Sequence, residues 1–361
     1  MDISLISFWG SKSGESAEEG FAANFKEVIA ADEMGFDAFW SGGVPLGGTI
    51  SHPILLASAI AACTSRIKIG TAVHLPNLKA AGEKFSTDVP EGASTINRNE
   101  GVAARYRWAF EHMLPADPIQ TAEQIAMVDQ VSNGRFIYGA GPDTVGDEGR
   151  QNQFFEWLQV MRKVWTEEEF SGFQGEYYNY PALPTGARVM PKPVQQPHPP
   201  ILGIVDSQQG FEPMGRNGYR IAIGGGTSHN QRGDTVLKED VRRYRQAWRD
   251  AGHPGDPTVS IRIPTLVTAT TEETKRNIEA MDKVRRDRDA AAGRPERGYS
   301  EEGSNNMYGT PEEVVERIHQ LQEDFGADEL MCEMHLGGAL SREGVLQSMR
   351  LLADKVIPKV K

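Results

Sequence analysis

Residues 117–141 read DPIQTAEQIAMVDQVSNGRFIYGAG, and their pattern is helix, tight turn, strand. Asp117 is a natural N-cap, and Pro118 suits the first helical position because its missing N–H is not needed there. Ile119, Ala122, Ile125 and Ala126 form an apolar stripe at helical spacing, and Asp129 falls on the same stripe. Gly134 ends the helix, and Phe136 to Ala140 follow as a short strand. A carboxylate on a buried stripe needs a partner, and Arg135 is the nearest cation; the alternative is a solvated Asp129. The strand ends in Gly139, Ala140 and Gly141, where no side chain would keep a flat ligand away. Small residues there serve packing equally well, so chemistry is not decided by them.

The same alternation extends in both directions. Strands are expected at 3–9, 36–41, 66–73, 136–140, 200–205, 219–223, 259–269 and 328–334. Helices are expected at 18–34, 53–63, 154–165, 208–217, 239–251, 272–292, 311–325 and 345–356. The first helix presents Phe21, Phe25, Val28 and Ile29 on one face, and the 154–165 helix presents Phe155, Leu158, Met161, Val164 and Trp165. Thr310 with Glu313 forms a capping-box pattern. The Pro-rich aromatic segment 173–189 reads as a surface hairpin, and the polar 293–307 segment as a mobile loop. Eight strands alternating with helices over this length indicate a (β/α)8 TIM barrel, a single domain over 1–361; a doubly wound open sheet is the runner-up.

Composition narrows the class. The chain has 361 residues, 39% hydrophobic and 24% charged, with a net charge of −12. No basic face for nucleic acid is visible, and no apolar run reaches membrane-spanning length, so neither nucleic acid nor membrane is an expected partner. Cys63 and Cys332 both lie in apolar runs and are expected as buried thiols of a cytoplasmic protein. No Cys/His cluster suggests a metal.

The signature in 117–141 resembles that of the bacterial luciferase-like flavin-dependent monooxygenases. Further pieces agree in order and spacing: FDAFW at 36–40, LASAIAACTSRIKIGTAV at 56–73, PKPVQQPHPPIL at 191–202, GTPEEVVERIHQL at 309–321, and the closing LLADKVIP. The resemblance favours the barrel over the open sheet. It implies reduced FMN supplied by a separate flavin reductase, molecular oxygen as co-substrate, a small organic substrate, and by analogy a homodimer. Deazaflavin-dependent hydride transfer and a non-catalytic flavin-binding barrel are the alternatives.

Barrel sites lie at the C-terminal strand ends, which here include Phe8, Gly42, Ala72 to His74, Gly139 to Gly141, Asp206 to Gln209, Gly224 to Thr227, and His335. After the 200–205 strand, Ser207 and the N–H groups of Gln208 and Gln209 could hold a phosphate at a helix N-terminus; a plain N-cap is the simpler reading. The resemblance implies that this segment holds the FMN phosphate. Separately, Gly225 in the Gly224–Gly226 run is a second backbone-donor candidate, with a plain turn as the alternative. The resemblance also implies a non-proline cis peptide near Ala72–Val73 beneath the flavin ring, which would set His74 beside the ring pocket as the catalytic candidate; a histidine hydrogen-bonded under the long insertion is the alternative. Two departures stand out: Trp40-Ser41-Gly42-Gly43 replaces the family's Glu-His-His, and Pro142-Asp143 replaces an arginine near the phosphate. His198 reads as structural, and His335 as a pocket-lining residue. The 76–116 segment is longer than the family's usual connection and reads as an insertion on the catalytic face, a lid or a dimer contact.

Overall fold

A Ser16/Glu19 capping box starts helix α1 (Ala17–Met34), and a Thr310/Glu313 box starts α8 (Pro311–Phe325), so side chains satisfy N–H groups that each helix leaves open. The computed structural model describes residues 1–9, 15–43, 52–76, 116–141, 148–205, 208–224, 234–291, 306–335, 338 and 340–361. β1 (Asp2–Ser7) precedes α1, and β2 (Ala38–Ser41), α2 (Pro53–Cys63), β3 (Lys68–Thr71), α3 (Pro118–Val131), β4 (Phe136–Ala140) and α4 (Glu148–Thr166) follow it. A short hairpin, β5 (Phe173–Gln174) with β6 (Asn179–Tyr180), precedes β7 (Ile201–Ile204), α5 (Gln208–Arg216), β8 (Arg220–Gly224) and α6 (Asp234–Asp250). The chain continues through β9 (Val259–Val267), α7 (Thr271–Ala291), β10 (Met307–Gly309), α8, β11 (Glu329–Glu333) and α9 (Arg342–Leu351). It closes with a π-helical turn over Leu352–Val356 and α10 (Ile357–Val360).

The strands run in the order β9-β11-β1-β2-β3-β4-β7-β8, and β8 pairs back onto β9. These neighbours are all parallel. That last pairing closes an eight-stranded (β/α)8 barrel and removes the open doubly wound sheet from consideration. A larger apolar core lies between the barrel wall and the helices. A smaller one, with Ile6, Ala38, Trp40, Ala72, Ile137, Leu202, Ala222 and Met331, fills the interior. Near its lower end sits a carboxylate: Glu329, 6% exposed, accepts from Ser4 Oγ at 2.6 Å, Trp40 Nε1 at 2.7 Å and Ser260 Oγ at 2.6 Å. Donors from three other strands thus converge on one buried charge, the arrangement a buried carboxylate requires.

Several expectations are corrected. Asp129 is fully buried, but its partner is Gln195, which donates from its backbone N at 2.9 Å and from Nε2 at 2.7 Å. Gln195 Nε2 also reaches Phe136 O at 2.7 Å, so the proline-rich segment is tied to α3 and β4 together. Arg135 points the other way, donating to Ala61 O, Thr64 O, Thr64 Oγ1 and Ile67 O, where it closes the end of α2. On α1 the inward face is Gly20, Asn24, Glu27, Val28 and Ala31, whereas Phe21 and Ile29 are exposed. The polar Asn24 and Glu27 can be inside because Arg342 Nη1 donates to both, at 2.8 and 3.1 Å. Cys63 is exposed, and only Cys332 is a buried thiol. On α4 it is Phe154 that is buried, with Phe155 partly covered. The expected loop at 293–307 ends in β10, where Met307 is buried against β9; its remaining residues up to 305 lie outside those described.

Glu329→Ala should leave three donors without an acceptor inside the barrel and cost roughly 3 kcal/mol or more. Urea denaturation reads this directly; a variant within ~0.5 kcal/mol of the wild type would show that the donors find other partners.

Candidate functional site

The C-terminal barrel mouth is built from inward-facing residues one layer above the interior core. At the C-terminal ends of β2, β3 and β4 the inward-facing residues are small: Gly42, Ala72, Gly139 and Gly141. Two of these glycines are forced by close approach. A Cβ on Gly139 would overlap the Thr71 carbonyl oxygen. The same pair of residues is bonded both ways, Thr71 Oγ1 donating to Gly139 O at 2.7 Å and accepting from Gly139 N at 2.9 Å. A Cβ on Gly42 would strike the Phe8 ring and the Ala72 carbonyl. Gly141 differs, since among the described residues a Cβ there would meet only Val73 Cγ2, at 3.5 Å. The Ala72–Val73 peptide is cis, at the bond where the resemblance implied one.

Beyond that bond the chain turns out of the barrel. His74 N donates to Gly139 O at 2.9 Å, and Gly141 N donates to His74 O at 3.3 Å, which fixes the backbone against β4. The imidazole lies on the outer side of the wall, with Nδ1 2.9 Å from Tyr138 Oη and its ring 6.3 Å from that of Trp157. Burial holds the His74 pKa down at about 4, with His52 adding to the effect, and burial pushes the Tyr138 phenol well above its ordinary value. The pair is therefore neutral near pH 7.

Across the mouth the lining is different. Arg262 of β9 donates from Nε and Nη2 to Glu333 Oε2 of β11, at 3.1 and 2.7 Å. Its guanidinium carbon sits 4.4 Å from the centroid of the Phe8 ring. The sequence reading passed over Arg262 and Glu333. The signal was present, for Arg262 is the one charge in the apolar strand VSIRIPTLV and has the inward parity of Ser260.

At the rim after β7, α5 begins at Gln208, and Gln208 and Gln209 are exposed at its first turn. Ser207 and Gly225 lie outside the described residues, as do Asp206, Gly226, Pro142 and Asp143. So does the expected insertion, apart from its ends, Pro76 and Ala116, which are joined by a hydrogen bond from Ala116 N to Pro76 O at 2.9 Å. His335 does not line the mouth, because its Nε2 is 2.7 Å from Glu27 Oε2 on α1. His198 is packed on Trp165 with Nδ1 2.8 Å from Pro199 O, a structural position.

The model of the luciferase-like monooxygenases matches residues 1–81 and 111–329. The chain belongs to that family. An uncharacterised protein of Mycobacterium tuberculosis is 34% identical over 177 residues, covering 46% of this chain and 58% of the relative. The FMNH(2)-dependent dimethylsulfone monooxygenase of Pseudomonas putida is 25% identical over 245 residues, covering 58% of this chain and 63% of that protein. The chain thus spans about 58–63% of the length of these curated relatives. Among solved structures, the oxygenating constituent of 3,6-diketocamphane monooxygenase from Pseudomonas putida, in complex with FMN, superposes with a TM-score of 0.72 at 20% identity, covering 100% of this chain and 99% of that one. A coenzyme F420 dependent tetrahydromethanopterin reductase from Methanopyrus kandleri superposes at 0.64 with 14% identity, covering 100% and 99%. At these identities the two structures establish the shared fold. No helix among the described residues is long and apolar enough to cross a membrane.

Two measurements follow. Gly139→Ala should cost about 1–3 kcal/mol, because the methyl meets a backbone carbonyl that cannot move aside; unchanged urea stability would show that β3 and β4 can separate there. His74 has a folded pKa below its unfolded value of 6.5, so its share of stability is full above pH 6.5 and is lost as the pH falls toward about 4. The slope is at most about 1.4 kcal/mol per pH unit. Denaturation at pH 7, 5.5 and 4.5 should show this component in the wild type and not in His74→Phe.

Proposed function

We propose that this chain is a flavin-dependent monooxygenase that uses reduced FMN and molecular oxygen to oxygenate a small organic substrate. The observation that carries the reading is the run of small residues at the ends of β2, β3 and β4, Gly42, Ala72, Gly139 and Gly141, where a flat tricyclic ring would meet few side chains. The residues present fit that group: Ala72 and Val73 would lie under the ring, and Gly139 and Gly141 would keep its approach clear. The first turn of α5 would meet the phosphate, through the backbone of Gln208 and Gln209 and, in sequence, the hydroxyl of Ser207, with Gly225 on the next loop. When bound, the reduced flavin supplies the reaction with dioxygen; the protein positions it and keeps water away.

In this reading His74 is a neutral wall group, turned to Tyr138, and the proton traffic of the reaction falls to other residues at the mouth. Reduced flavin would come from a separate reductase, and a homodimer by analogy with the family. The F420-dependent neighbour and the absence of the strand-two histidine pair favour one second reading, hydride transfer from a deazaflavin.

Two tests separate these. Fluorescence titration should give tighter binding of FMN than of riboflavin, by about tenfold or more for the phosphate contacts; equal affinities would take the phosphate away from α5. Turnover with reduced FMN should stop when oxygen is removed. Substrate reduction that continues anaerobically with reduced F420 would establish the hydride-transfer reading instead.

A further inference from the structure

The mouth has two unlike halves. In the ring of strands, β9 stands directly opposite β3, separated from it by three strands on either side. The β3 side is the bare arc. The β9 side carries the Arg262–Glu333 pair, whose side chains are 24% and 20% exposed, and Phe8, after β1, stands between the two halves. Gly42 has room for no Cβ because the Phe8 ring lies over it, and Arg262 stacks on that same ring. Phe8 therefore forms a floor that runs from the bare arc to the charge.

Arg262 is held by one edge only. Nε and Nη2 are both spent on a single oxygen, Glu333 Oε2. Nη1 has no hydrogen-bond partner among the described residues, and neither has Glu333 Oε1. A guanidinium fixed by a carboxylate and an aromatic face has lost most of its rotamer freedom, so a further acceptor placed on Nη1 binds with little additional ordering cost. A wholly hydrocarbon substrate would not use this group, and would have to cover a half-desolvated cation without returning a hydrogen bond.

We propose that Arg262 is a specificity-determining residue: its Nη1 donates to an acceptor oxygen of the substrate, a carbonyl in the first instance, while Glu333 and Phe8 hold the guanidinium in place. This rests on the monooxygenase reading, in which a ring on the β3 arc leaves the β9 half for the substrate. The substrate class is then small organic molecules bearing a carbonyl-type oxygen, in preference to hydrocarbons of the same shape.

The experiment compares cyclohexanone with methylenecyclohexane, which differ in a single terminal atom, by calorimetry on FMN-loaded protein. Wild type should bind the ketone about tenfold more tightly. Arg262→Met should bring the two probes to near equality, while FMN affinity stays within about twofold of the wild type. Arg262→Lys, which keeps the charge but not the planar fork, should retain only part of the preference and serves if the methionine variant fails to fold. A purely structural role would weaken both probes alike and leave their ratio standing. Equal binding of both probes by the wild type, or a ketone preference that survives Arg262→Met, overturns the proposal. Loss of FMN affinity in Arg262→Met with the preference intact also overturns it, by assigning the arginine to the cofactor. If the wild type binds no FMN, the flavin reading fails, and the same probe ratio measured on the free protein still decides whether Arg262 reads the oxygen.

Discussion

The contact on which this structure turns is the close approach of β3 and β4 at Thr71 and Gly139. The Thr71 hydroxyl bridges both backbone groups of Gly139, and the Thr71 carbonyl occupies the space a Cβ would need. Such an approach excludes side chains from the inner wall at that level. Everything proposed for the mouth depends on this exclusion: a bare arc on one side, and polar groups displaced to the opposite side. Beneath it, the buried carboxylate of Glu329 on β11 joins β1, β2 and β9 at the floor of the interior.

Much of the fold was legible in the sequence. The helix-turn-strand of 117–141 is present as expected, with Asp117 accepting from Ile119 N and Gln120 N as its cap. The eight barrel strands fall where alternation and family motifs placed them. Closure itself was not legible, because a local period cannot report which edge strands meet; the β8–β9 pairing is a long-range fact. The same limit explains the partner of Asp129. Arg135 is near in sequence, yet Gln195 reaches the carboxylate from a segment 66 residues away.

Hydrophobic stripes misled at α1 for a related reason. Phe21 and Ile29 look like core residues, but the face that packs inward carries Asn24 and Glu27, made tolerable by Arg342 from the far end of the chain. At the site, the small residues and the cis peptide position could be read from motifs, since they belong to strand ends in a known order. The outward turn of His74 could not, because it follows from long-range bonds to β4, of its backbone to Gly139 and Gly141 and of its ring to Tyr138. Arg262 offered a local clue that was overlooked, a lone charge at inward parity in an apolar strand.

The central claim is that the bare arc of the mouth is a ring cradle. Gly141 allows a direct test, because among the described residues a Cβ there comes within 4 Å of Val73 Cγ2 alone, at 3.5 Å, and of no backbone atom. The decisive measurement is FMN affinity of Gly141→Leu beside its urea stability. The account predicts a variant as stable as the wild type within about 1 kcal/mol that has lost FMN binding by a hundredfold or more, on the order of 3 kcal/mol. A variant that keeps both its stability and its FMN affinity would show that the flavin, if bound at all, does not lie on this arc.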